Sequence, residues 1–82
     1  MSEKCISIDS VNPVEIFGFG NSNIEIISNR YSKLKVIARG NIIKLIGEEA
    51  EIDNCENKIN KIIEHHKKYL KLSNENVRDI VN

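Results

Sequence analysis

Ile16-Phe17-Gly18-Phe19-Gly20-Asn21-Ser22-Asn23-Ile24 is the stretch that decides how this chain folds. Two glycines and three small polar residues lie between apolar residues that favour burial on both sides. Upstream, Asn12-Pro13 reads as a helix start, because asparagine caps a helix and proline suits its first position. Val14-Glu15-Ile16-Phe17 is then one helical turn or slightly more, stopped by Gly18. Its β-branched residues keep a strand open as the alternative, but the start and stop signals are more specific. Downstream, Asn21 or Ser22 caps a second helix that ends near Tyr31-Ser32. Ile24, Ile27 and Tyr31 share one face of it, and Ile26 widens that face.

The flanking segments complete one domain. Residues 5–9 alternate, with Ile6 and Ile8 on one face and Cys5, Ser7 and Asp9 on the other, as in a half-buried strand. Residues 34–39 alternate too: Leu34, Val36 and Ala38 point inward, and Lys35, Ile37 and Arg39 lie opposite. Gly40-Asn41 joins them to a second β run, 42–46, ended by Gly47. Two β runs joined by two residues that tolerate positive φ make a hairpin. Residues 48–70 form a long helix whose apolar positions are Ala50, Ile52, Cys55, Ile59, Ile62, Ile63, His66, Tyr69 and Leu70. Acids crowd its first half and lysines its second, as the helix dipole favours. Ser73 caps a terminal helix that packs through Val77, Ile80 and Val81. The expected fold is α+β in two layers, a three-stranded antiparallel sheet with helices on one face, spanning residues 1–82 as a single domain.

A chain of 82 residues buries only about 60% of its unfolded surface, so the core is small. The start has no apolar run of signal-peptide length, and no segment approaches a membrane span. Cys5 and Cys55 lack metal-site spacing and read as two free thiols of a reducing cytoplasm, with a disulfide between them as the alternative. Twelve basic and twelve acidic residues give zero net charge, which argues against strong nonspecific nucleic-acid binding. The distribution is uneven. Residues 28–47 hold five cations (Arg30, Lys33, Lys35, Arg39, Lys44) and no acid, so a basic face is expected.

Catalytic chemistry is thin. His65 and His66 lie on the long helix with no carboxylate or thiol placed to work with them. His66 reads as packed and His65 as solvated. No set of three or four metal ligands has suitable spacing, and there is no GxxxxGK[ST], so no catalytic residue, metal or cofactor is assigned within the chain. The acidic residues 48–56 have an electrostatic explanation as a helix start. The glycine turn differs, because two helices meeting there place backbone N–H groups at the start of the second helix, where phosphate is favoured. Beside it, Ile37 lies between the cations Lys35 and Arg39. Backbone for phosphates and an aliphatic surface for bases would hold single-stranded nucleic acid. The plainer alternative is that Gly18 and Gly20 only permit a tight helix–turn–helix.

Ile16 to Ile27, with Leu34-Lys35-Val36-Ile37-Ala38-Arg39-Gly40-Asn41 and Ile43-Lys44-Leu45-Ile46-Gly47-Glu48, resembles a KH domain. More closely, it is similar to the N-terminal domain of PhoH-like proteins. The likeness covers roughly residues 4–81. Phe17-Gly18 with Asn23-Ile24, together with Arg39-Gly40-Asn41, carries its specificity. The resemblance implies a type I KH-like order, β-α-α-β-β-α plus a short C-terminal helix. It implies a cytoplasmic P-loop ATPase as the full-length relative, with ATP and magnesium held only in the domain that follows, and a link to phosphate starvation and RNA metabolism. The expected nucleic-acid contacts are Gly18, Phe19, Gly20, Asn21, Asn23, Lys35, Ile37 and Arg39. The turn departs from the KH GxxG pattern: Gly18-Phe19-Gly20-Asn21 has Asn for the second Gly and no cation between. It has the backbone for a phosphate grip without charge-assisted bonds, so the isolated affinity for single-stranded RNA is expected to be weak. The alternative is a protein–protein module, with Phe19 and Ile37 as apolar anchors against the attached ATPase domain or a sister subunit of a homo-oligomer.

Overall fold

In the computed structural model, which describes residues 1–9 and 11–82, the elements follow the expected order. They are β1 (Ser2–Ser7), α1 (Pro13–Phe17), a 3₁₀ turn (Phe19–Asn21), α2 (Ser22–Arg30), β2 (Lys35–Arg39), β3 (Ile42–Gly47), α3 (Glu49–Tyr69) and α4 (Asn74–Val81). β3 lies between β1 and β2 and is antiparallel to both. α3 packs on β1 and β3, α2 packs on β2, and α4 rests on α2 and α3. The result is the α+β two-layer domain that the sequence predicts, with the helices on one face of the sheet.

The core lies between these layers. Ile6, Ile43 and Leu45 point from the sheet to Ile24, Ile27, Ile59 and Ile62 of the helices, all buried. Each such aliphatic side chain contributes about 2 kcal/mol by leaving water. Two of the three caps that the sequence places form their side-chain bonds. The Asn12 side chain accepts from the Val14 amide at 3.1 Å, and Ser73 and Asn76 form a reciprocal capping box. Asn21 holds the cap position of α2 but makes no side-chain cap bond there.

Three expectations are corrected. β1 begins at Ser2 rather than Cys5, because Ser2, Glu3 and Lys4 pair with Gly47, Ile46 and Leu45. Their polar side chains carry no burial pattern, so only the partner strand shows the extension. In the hairpin turn Gly40 has positive φ (60°), but Asn41 does not. Asn41 instead ties the hairpin to the end of β1: its carbonyl accepts from the Ile8 amide (2.7 Å), and its side chain donates to Asp9 (2.9 Å). Of the apolar positions expected on the long helix, Ala50 and Tyr69 are exposed on α3, and Leu70 is exposed just beyond its end. Ala50 lies about 200° around the helix from Ile52. The last turn overreaches the sheet, since 21 helical residues span about 31 Å and a six-residue strand about 20 Å.

Candidate nucleic-acid interface

Gly18 sets the geometry of the 18–21 turn. Its backbone at φ 82°, ψ 168° lies in a region that only glycine occupies without strain. A Cβ there would sit 2.8 Å from Ser22 Oγ and 3.0 Å from the Asn23 side chain. Gly20 and Asn21 follow, both left-handed at φ 60°. This sequence of bends turns the chain from α1 into α2 and leaves Phe19 outside, 98% exposed.

Asn23 is placed differently from its neighbours. It is 1% exposed, its Nδ2 donates to the Ile16 carbonyl (3.1 Å), and its Oδ1 accepts from Asn74 Nδ2 (2.7 Å). The same Asn74 amide donates to Ser22 Oγ (2.8 Å). Asn23 therefore ties α1 and α2 to the start of α4, and it presents nothing to a ligand.

A shallow groove of about 300 Å³ runs beneath Phe19. Val14, Gly18 and Leu72 give it an apolar floor, and Glu15, His66 and Lys71 give it polar walls. His66 is buried, as its position on the apolar stripe predicts, but it has a carboxylate neighbour that the sequence did not reveal. Its Nε2 lies 3.3 Å from Glu15 Oε2, across the α1–α3 contact. His65 is half-buried rather than solvated, with its ring 4.7 Å from that of Tyr69. Among the described residues no three or more His, Cys, Asp or Glu gather as for a metal ion, and no helix is long and apolar enough to cross a membrane.

The strand residues of the expected site lie elsewhere. Val36 and Ala38 pack against the core, so by strand alternation Lys35, Ile37 and Arg39 face away from the helices. The structure thus divides the expected contacts. Gly18, Phe19, Gly20 and Asn21 belong to the helix layer, and Lys35, Ile37 and Arg39 to the open face of the sheet. Lys44 shares that open face and was not among the expected contacts. Hairpin register, which pairs Ile37 with Lys44, is the signal that finds it. Compared with family models, with curated proteins and with solved structures, the chain gives no match. Its reading therefore rests on its own residues and geometry.

The cysteines are unbonded, Cys5 exposed and Cys55 buried. Burial, reinforced by the nearby Glu51 carboxylate, pushes the Cys55 thiol up to about 12. A thiol-specific reagent near pH 8 is expected to modify one cysteine rapidly, Cys5, and the second only with unfolding. Two rapid equivalents in the native protein would contradict the packing around Cys55. The same shift makes the fold less stable in alkali. A raised folded value means that the stabilisation is complete below the ordinary thiol value near 9.0 and is lost as pH rises from there towards 12.

Proposed function

We propose that the domain binds single-stranded RNA weakly, as the N-terminal module of a PhoH-like ATP-binding protein, and that it performs no catalysis itself. The observation that carries this reading is Phe19, an aromatic ring 98% exposed at the tip of a turn whose backbone glycine fixes. A phenylalanine in that position contributes nothing to the core. It offers a flat apolar face, on which an unpaired base stacks for about 1–3 kcal/mol. Nothing lies within 4 Å of a Cβ built at the neighbouring Gly20, so the backbone beside the ring is open. No cation lies on the turn, which accounts for a low affinity.

Titration of labelled oligoribonucleotides at two salt concentrations tests the proposal. Binding in the micromolar range is expected, with Phe19→Ser weakening it at least about fivefold, from the lower end of the stacking range. Stability should be unchanged, because the ring is in solvent. Absence of binding at high micromolar protein would refute the reading.

A second reading is favoured by Val14, which is 69% exposed on the same groove as Phe19. An apolar centre with Glu15 and Lys71 at its rim has the anatomy of a protein contact. On this reading the groove receives the ATPase domain or a sister subunit. Sedimentation of the domain alone, and of a chain extended into the ATPase, separates the two. If Phe19→Asp leaves assembly untouched, the second reading loses its main support.

A further inference from the structure

The helix-free face of the sheet holds a chequered array that neither the turn nor the core requires. On β2 it shows Lys35, Ile37 and Arg39. On β3, directly opposite, it shows Ile46, Lys44 and Ile42. Cations and isoleucines therefore alternate both along each strand and across the hairpin. Lys44 is the diagonal neighbour of both Lys35 and Arg39, about 7–8 Å from each, and Lys35 and Arg39 are about 13 Å apart along β2. Ile37 stands in the same diagonal relation to Ile42 and Ile46. Lys35 and Arg39 are exposed, and Ile42 is 39% exposed. Among the described residues neither Lys35 nor Arg39 forms an ion pair. Lys44 has one, with Glu3 of β1 at 3.3 Å.

We infer that this open face is a second contact surface for the same single-stranded RNA, with Lys35, Lys44 and Arg39 on phosphates and the isoleucines under the bases. The inference takes its ligand from the reading above. Charge complementarity selects a polyanion: three cations occupy the face, and Glu3 is the one acid that the strands place there. Acids are concentrated instead at the start of α3 (Glu48, Glu49, Glu51, Asp53). Isoleucines between the cations suit a strand whose bases are unpaired, because a duplex keeps its base faces stacked inside and presents phosphates, 2′-hydroxyls and base edges instead. Glu3 competes for Lys44 and restrains affinity.

The test uses the whole 82-residue chain, isotopically labelled, with a short oligouridylate as probe. Amide shifts should appear on β2 and β3 as well as on the turn. Three phosphate contacts add about −2 to the slope of log affinity against log salt, a roughly twentyfold loss between about 50 and 200 mM. The double variant Lys35→Gln, Arg39→Gln should flatten the slope by about 1.4. Glu3→Gln should tighten binding by releasing Lys44. Shifts confined to residues 18–22, with the slope unmoved by the double variant, would overturn the inference and leave the turn reading standing. Shifts confined to the strands would leave the inference standing and overturn the turn as the site. Absence of any shift, or self-association through this face in place of binding, would overturn both.

Discussion

Gly18→Ala is expected to cost roughly 2–6 kcal/mol of folding stability, a large share of what so small a domain has. Two effects add. The φ 82°, ψ 168° conformation strains any residue with a side chain by about 1–3 kcal/mol. The new methyl would also stand 2.8 Å from Ser22 Oγ and 3.0 Å from Asn23. Asn23 cannot yield without breaking its bond to the Ile16 carbonyl, so overpacking adds a further 1–3 kcal/mol or so. At about 0.05–0.15 kcal/mol per residue, the whole domain has roughly 4–12 kcal/mol. Gly20→Ala is the internal comparison. Its φ of 60° is an ordinary left-handed value, and nothing lies within 4 Å of a Cβ built there, so a cost of about 1 kcal/mol is expected. Urea unfolding of both variants measures the difference, provided the slopes match. Equal midpoints would mean that the close packing under Gly18 does not constrain the fold.

The contrast between these glycines shows how far local sequence reaches. Both were visible as turn residues between two helices. Which one is irreplaceable depends on Ser22 and Asn23 folding back beneath it, and no local pattern states that. The same limit runs through the fold. Asn12-Pro13, Ser73 and the alternation of residues 34–39 are local chemistry, and the elements they announce are present. The first three residues of β1 are strand only because β3 is beside them. Tyr69 and Leu70 keep helical spacing but have no sheet left to cover, and Leu70 turns left-handed at φ 56° as α3 ends.

The candidate contacts divide for the same reason. Period-two alternation told that Lys35, Ile37 and Arg39 share a face. It could not tell that the helices, and the 18–21 turn with them, lie on the other side. Lys44 was visible within the basic run 28–47, yet its place between Lys35 and Arg39 is a matter of cross-strand register. His66 and Glu15 are 51 positions apart in sequence, and only the contact of α1 with α3 brings them to 3.3 Å.

Asn23 gives the second large effect. α1 is five residues long, so the Ile16 carbonyl is among the last of the helix and has no partner within it. Asn23 Nδ2 supplies that partner. Because a carbonyl only accepts, the orientation of the amide is fixed by chemistry, and its Oδ1 is thereby turned to Asn74. Asn23→Asp keeps the shape and removes the donor. At neutral pH it would set a carboxylate against a carbonyl at a site 1% exposed, with a destabilisation of at least about 3 kcal/mol expected from the lost bond and the buried charge together. The pH dependence identifies the cause. The folded state resists ionising the new carboxyl, so its folded pKa lies above the ordinary value of about 3.9. The deficit relative to wild type is then complete at neutral pH and shrinks as pH falls towards that value, where the protonated acid can donate again. Asn74→Ala should cost less, about 1 kcal/mol, because Asn74 is exposed. The double variant Asn23→Ala, Asn74→Ala should cost less than the sum of its parts, since both singles remove the same bond. Urea midpoints across pH for these variants decide the matter. Absence of a deficit in Asn23→Asp at neutral pH would mean that Asn23 acts through its volume and not through the Ile16 carbonyl.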